Sequence, residues 1–121
     1  MDKYKLGDME ELFARLLWKN APLSTREMVQ LCEKEFMWKR TTTYTMFKRL
    51  CERGIFENRD GMVVALLSRE DFLLGRGESF LDDNFGGSLP MFIAAFTRKK
   101  KLSDDEINEI QKLINEYEEG L

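Results

Sequence analysis

The stretch WKRTTTYTMFKRL, Trp38 to Leu50, sets four threonines in five positions, with two basic residues before them and two after. Threonine enters strands more readily than helices, so local propensity leaves the segment ambiguous. The placing of its apolar residues decides the matter. At helical spacing Thr43, Phe47 and Leu50 share one side, with Met46 at its edge. Thr41, Tyr44, Thr45 and Lys48 share the other, at i, i+3, i+4 and i+7. A period of two would mix these sets. The spacing therefore predicts a helix over about 41–53, with Gly54 just past its C-terminal cap.

Working outward, Ser24 and Glu27 form an S-x-x-E capping box that opens a helix running to about Phe36, with Met28, Leu31, Cys32 and Phe36 inward. Before it, Met9, Leu12, Phe13, Leu16 and Leu17 repeat at helical spacing behind Asp8, which is expected as the N-cap. Trp18 closes that apolar face, and KNAPLS reads as a turn. After Gly54, two apolar, β-prone runs flank Asn58-Arg59-Asp60-Gly61, whose Asp-Gly step signals a hairpin. The order helix, helix, helix, hairpin is that of a winged helix-turn-helix, in which the third helix enters the major groove of DNA. The expected fold is mainly α with a small β-hairpin.

Residues 68–121 have a different character. Ser68 caps a helix through REDFLLGRGESFLDD, weakened at Gly75 and Gly77 by up to about 1 kcal/mol each relative to alanine. Ser88 starts another, with Leu89, Phe92, Ile93 and Phe96 in register and Pro90 in its first turn, ended by the RKKK run. Ser103 and Glu106 box a last helix bearing Ile107, Ile110, Leu113, Ile114 and Tyr117. Segments this short rarely bury a core alone, so a second copy of the chain is the expected cover. The reading divides the chain into a winged-helix DNA-binding domain, 1–67, and a C-terminal helical dimerisation region, 68–121. The residues expected at the dimer contact are Phe80, Phe85, Leu89, Phe92, Ile93, Phe96, Ile107, Ile110, Leu113, Ile114 and Tyr117.

Charge supports this division. Residues 1–67 carry 12 Lys/Arg against 10 Asp/Glu, net +2, and residues 68–121 carry 7 against 12, net −5. Within 34–59 the balance is 7 to 3, net +4, around the threonine run. The chain has no histidine, and Cys32 and Cys51 form no CxxC pair. That removes imidazole zinc sites and Ser/His or Cys/His nucleophiles, and no cofactor or metal site is expected. The cysteines read as small buried hydrophobes. Without an apolar run near the roughly 18–20 residues of a membrane span, or a signal peptide in MDKYKLGDMEE, the expected location is the cytoplasm.

Taken together, these motifs resemble the penicillinase-repressor family, of BlaI/MecI/CopY type, over nearly the whole chain. DMEELFARLLW fits the family's first helix ending in tryptophan, and Thr25 stands near the start of its second. Trp38, Thr42, Thr45, Arg49, Leu50 and Gly54 fit its recognition segment, with Thr43 in the β-branched apolar slot. NFGGS, AAF and LSDDEINEIQKLI follow its dimerisation region. The resemblance implies a winged-helix homodimer that binds a palindromic operator in double-stranded DNA and represses transcription.

Carried over by position, the major-groove contacts fall at Thr41, Thr42, Tyr44 and Thr45, and the phosphate contacts at Lys39, Arg40, Lys48 and Arg49. The wing NRDGMVVALL is poor in cations, leaving Arg59 as its phosphate contact. Thr42 has a second reading as a helix cap, and Arg49 as the partner of an acidic side chain. The copper-responsive branch of the family carries a C-terminal cysteine cluster, and no cysteine follows Cys51 here. The β-lactam branch is released by a sensor protease at an Asn-Phe bond. The matching bond here, Ala95-Phe96, keeps the phenylalanine and lacks the asparagine. A protein-interaction module on the same scaffold is the competing reading. No nucleophile–base pair or metal cluster points to an enzyme.

Overall fold

The computed structural model describes residues 3–120. Helix α1, Asp8–Asn20, begins one residue earlier than expected for an Asp8 cap: Gly7 is the N-cap, in extended conformation, and Asp8 is the first helical residue. The reason is the box closed by Glu10, whose Oε1 accepts the Gly7 N–H at 3.1 Å. Asp8 then lies within the first turn, where negative charge complements the helix dipole. Phe13, Ala14 and Leu17 are buried on the inner face, while Met9 and Leu12 remain exposed at its margin.

A two-residue strand, β1 (Leu23–Ser24), follows and leads directly into α2 (Thr25–Phe36). Ser24 caps α2 as expected. Its Oγ accepts the Glu27 N–H at 3.0 Å, and Glu27 Oε1 accepts the Ser24 N–H at 3.0 Å. That backbone hydrogen bond, then the Ser24 hydroxyl, holds the Glu27 carboxyl below its usual range. Helix α2 ends at Met37, which is left-handed at φ 57° and sends its N–H to Glu33 O, while the Trp38 N–H reaches Cys32 O. This tight reversal starts α3, Arg40–Glu52, only a few residues later.

Helix α3 buries Thr43, Phe47 and Leu50 and stops at Gly54, whose φ of 77° suits the position after the cap. Strands β2 (Phe56–Arg59) and β3 (Met62–Ala65) then pair antiparallel, Asn58 facing Val63 and Arg59 facing Met62. Asp60 and Gly61, at φ 52° and 85°, make the two-residue turn of I′ type that favours the natural strand twist. Asn58 Oδ1 accepts the Gly61 N–H at 2.9 Å and closes it. On its other edge β3 pairs with β1, giving the order β1-β3-β2. The Thr25 N–H donates to Gly61 O, so the hairpin turn is tied to the start of α2.

The core gathers Phe13, Leu17, Met28, Cys32, Phe47, Leu50, Ile55, Phe56, Val63 and Phe72. Both tryptophans lie at its edge, half-buried. Trp18 contacts Phe56 and Phe72 at ring distances of 5.3 and 5.2 Å, and its Nε1 donates to Leu67 O. Trp38 packs between Phe13 and Phe36. Cys32 is buried, and desolvation pushes its thiol up to about 11. Cys51 is half-buried, its thiol also raised by burial. Neither sulfur is a ready thiolate near neutral pH.

Helix α4, Arg69–Phe85, is capped by Ser68, whose Oγ accepts the Asp71 N–H at 3.0 Å. By its contacts the chain divides into two compact units after Ser79, so α4 begins in the first. There Phe72 and Gly75 are buried and Arg76 forms a two-pronged ion pair with Glu11. The Arg76 hydrogen bonds hold the Glu11 carboxyl below its ordinary range. The contact's stabilisation is thus present above the unfolded carboxylate value and is lost as pH falls through the depressed one.

The second unit holds the end of α4, α5 (Leu89–Lys99) and α6 (Asp104–Glu118). Ser88 and Ser103 cap α5 and α6 as expected, the latter with Glu106 in a full box. Phe85 and Phe92 meet edge to face at 5.4 Å, and Phe80 meets both edge to face at 5.8 Å. No residue of α5 or α6 is buried in the single chain. Among the described residues, no helix is long and apolar enough to cross a membrane.

Candidate nucleic-acid interface

The outward half of α3 is fixed by its inward half. With Thr43, Phe47 and Leu50 in the core, helical geometry turns Thr41, Thr45 and Lys48 to solvent, together with Thr42 and Arg49. Lys39 is the N-cap and its side chain makes no capping bond. Thr42 therefore does not cap; it is the third helical residue and exposed. The first amide groups of α3 have no side-chain cap, and a helix N-terminus flanked in sequence by Lys39 and Arg40 is suited to an anionic oxygen.

The threonines divide by their hydrogen bonds. The hydroxyls of Thr43 and Thr45 donate back to Lys39 O at 3.2 Å and Thr41 O at 2.9 Å. Thr45 thus spends its proton inside the helix and presents outward a methyl group and an acceptor oxygen. Such a pair suits a thymine methyl beside an amino group of adenine or cytosine. Thr41 and Thr42 show no such back-bond among the described residues, so each can still donate.

Tyr44 is half-buried rather than fully outward, with the Arg40 guanidinium 5.5 Å from its ring centroid. With Thr25, Arg26, Val29 and Gln30 these two residues line a shallow cleft between the start of α2 and α3. Arg26 and Gln30 were not anticipated from the sequence; their i, i+4 spacing opposite Met28 and Cys32 is the signal that marks them as a second outward face. Arg49 forms no ion pair among the described residues, and its Nη1 lies 3.6 Å from Met46 Sδ.

The wing behaves differently. Arg59 and Glu57 stand two apart on β2 and so share one face. Arg59 Nη2 and Nε lie 2.6 and 3.0 Å from Glu57 Oε2. With Asp60 in the turn, the tip carries no excess positive charge. An exposed pair of this kind is weak, so a DNA phosphate can compete with the carboxylate for the guanidinium. Glu57→Gln is expected to strengthen DNA binding about 3- to 10-fold and to steepen its salt dependence by about one ion per protomer. Unchanged affinity in an anisotropy titration would mean that the wing stays clear of phosphate.

The residues expected at the dimer contact are on the surface in the single chain. Leu113 and Tyr117 of α6 are 65% and 84% exposed, and Leu89, Ile93, Phe96, Ile107, Ile110 and Ile114 are also open to solvent. Phe85 and Phe92 are half-buried within the phenylalanine cluster, which Phe80 and Phe96 join from its exposed side. The Ala95-Phe96 bond lies within α5. Among the described residues, no group of three or more His, Cys, Asp or Glu could hold a metal ion.

Comparison with known proteins covers nearly the whole chain. A family model described as penicillinase repressor matches residues 6–116. The chain is 26% identical over 117 residues to the penicillinase repressor of Bacillus licheniformis, spanning 93% of this chain and 91% of that protein. It is 22% identical over 116 residues to the methicillin resistance regulatory protein MecI of Staphylococcus aureus strain Mu50, covering 93% and 94%. The MecI protein of Mammaliicoccus sciuri is 21% identical over the same length, with the same coverage.

Proposed function

The chain belongs to the penicillinase repressor family, and from that premise we propose that it is a dimeric transcriptional repressor of a palindromic operator. Residues 1–67 would bind DNA, with α3 in the major groove and the 55–66 wing beside it, and residues 68–121 would join two copies. The cytoplasm, where such DNA lies, is its site of action. The observation that carries this reading is the outward face of α3. Thr41, Thr42, Thr45 and Lys48 are all exposed there, and no described ion pair occupies Lys39, Arg40, Lys48 or Arg49.

The chemistry divides between position and sequence. The four cations and the uncapped amides of α3 hold phosphates and set the register, which carries no sequence information. The threonines, nearer the groove floor, read methyl and amino groups. Two protomers offering four cations each imply a slope of about −7 for log affinity against log salt. Lys48→Ala should reduce that slope by about two and weaken all sequences alike. Thr45→Ala should instead cost about 1–3 kcal/mol at one base pair of each half-site and relax the preference there. Thr45→Val, which keeps the methyl contact, should restore part of it. These titrations test the reading, because a flat salt response or sequence-indifferent binding contradicts it.

A protein-interaction role retains one specific support, the overall charge of −3 with a wing whose arginine is tied to Glu57. It predicts that Lys48→Ala leaves DNA affinity unchanged.

A further inference from the structure

The shallow cleft between the start of α2 and α3 is lined by two cations and no acid. Arg26 and Gln30 reach it from α2, Arg40 and Tyr44 from α3, and Thr25 and Val29 complete the lining. Arg26 and Arg40 are exposed, and neither is in an ion pair among the described residues. Glu27, the acid next to Arg26 in sequence, is engaged instead with Ser24 at the head of α2. Two guanidiniums lining one cleft repel each other, and an anion between them removes that cost.

Tyr44 shapes one wall of this cleft. A helical side chain leans toward the N-terminal end of its helix, so the Tyr44 ring covers the turn that begins at Arg40. The Arg40 guanidinium lies 5.5 Å from the ring centroid. The ring is itself half-buried against the core, which holds it in place rather than leaving it free to follow a base edge. A guanidinium kept over such a wall has less freedom to lose when it meets its partner. In the operator-binding reading Thr41 and Thr45 enter the major groove, and the cleft lies on the flank of the same turns. A helix about 10–12 Å across fills a groove about 12 Å wide, so its flanks meet the phosphates.

We propose that Arg26 and Arg40 jointly hold one backbone phosphate of the operator, and that Tyr44 is the positioning residue that aims Arg40 at it. This rests on the operator-binding reading above, and it moves Tyr44 from a major-groove contact to a platform beneath an arginine. Guanidinium forks match the oxygens of a phosphate, and two of them can share its oxygens. A shared phosphate has its own signature in salt. Affinity falls with salt in proportion to the phosphates neutralised, not to the cations supplied. Removing one arginine of the pair leaves the phosphate neutralised by the other. Removing both frees it.

The test is an anisotropy titration of the full-length chain on a palindrome across a range of salt. Arg26→Ala and Arg40→Ala should each weaken binding at least about tenfold. Each should leave the slope of log affinity against log salt within about half a unit of the wild type. The double variant should lower that slope by about two, one phosphate for each half-site. Tyr44→Leu should weaken binding about 5- to 10-fold, the loss of a cation–π contact at both half-sites. In an Arg40→Ala background it should cost nothing further, whereas a merely structural loss would be the same in both. Tyr44→Phe, which keeps the ring, should restore affinity to within about twofold of the wild type. If Tyr44→Leu does not fold, Tyr44→Phe and the arginine variants still decide. A slope lowered by either arginine variant alone, an Arg26→Ala chain that binds like the wild type, or a Tyr44→Phe chain that relaxes the preference at one base pair would overturn the proposal. A wild type that binds no palindrome at all overturns the reading beneath it, and shows this before any variant is made.

Discussion

A chain ending at Ser79 is expected to fold and to bind a palindromic operator roughly 10²–10⁴-fold more weakly than the full chain, while keeping its half-site affinity. In a dimer the second recognition helix binds at the high effective concentration set by the first. If the second unit joins the protomers, removing it should make the two encounters independent. The expectation draws on the apolar surface of α5 and α6, where no residue is buried in the single chain. Sedimentation and anisotropy on the truncated chain decide it. Undiminished affinity for the full palindrome would show that the C-terminal helices do not join the protomers. The cut must come after Ser79: ending at Leu67 would remove Phe72 from the core, strip Trp18 of one ring partner and leave Glu11 without Arg76.

Phe72→Ala is expected to destabilise the first unit by about 3–5 kcal/mol, as for other fully buried phenylalanines. Total stabilities are about 5–15 kcal/mol, so this change should bring the domain close to unfolding. Phe72 is fully buried and contacts both Trp18 and Tyr4. Leu113→Ala, on an exposed face of α6, should leave that unit's urea midpoint unchanged and weaken self-association instead. A Phe72→Ala loss below about 1 kcal/mol would mean that the first turns of α4 are not part of the core.

Much of this architecture was legible in the sequence, because the strongest signals were local. The Ser24/Glu27 box, the Asp60-Gly61 turn, the Gly54 stop and the facing of Thr43, Phe47 and Leu50 each depend on residues within one or two turns. Strand β1 was not legible: two residues carry no period, and Leu23–Ser24 is a strand only because β3 lies beside it. Nor was the role of Gly75, which reads locally as a weak point and acts through contact with Tyr4. The wing illustrates the same limit, since Arg59 reads as a spare cation until its neighbour on the strand face is seen to hold it. At the interface, residue types gave α3 its outward face, but only hydrogen bonds separated the back-bonded Thr45 from Thr41 and Thr42.

The most direct test of the central claim is a competition titration of the full chain on DNA upstream of its own gene, against a scrambled duplex of equal length. The expected result is a palindrome bound by two protomers, at least about 10³-fold tighter than the scrambled duplex. Thr45→Ala should narrow this ratio while Lys48→Ala weakens binding to both duplexes together. Equal affinity for the two duplexes, or a ratio that neither substitution moves, would contradict that claim.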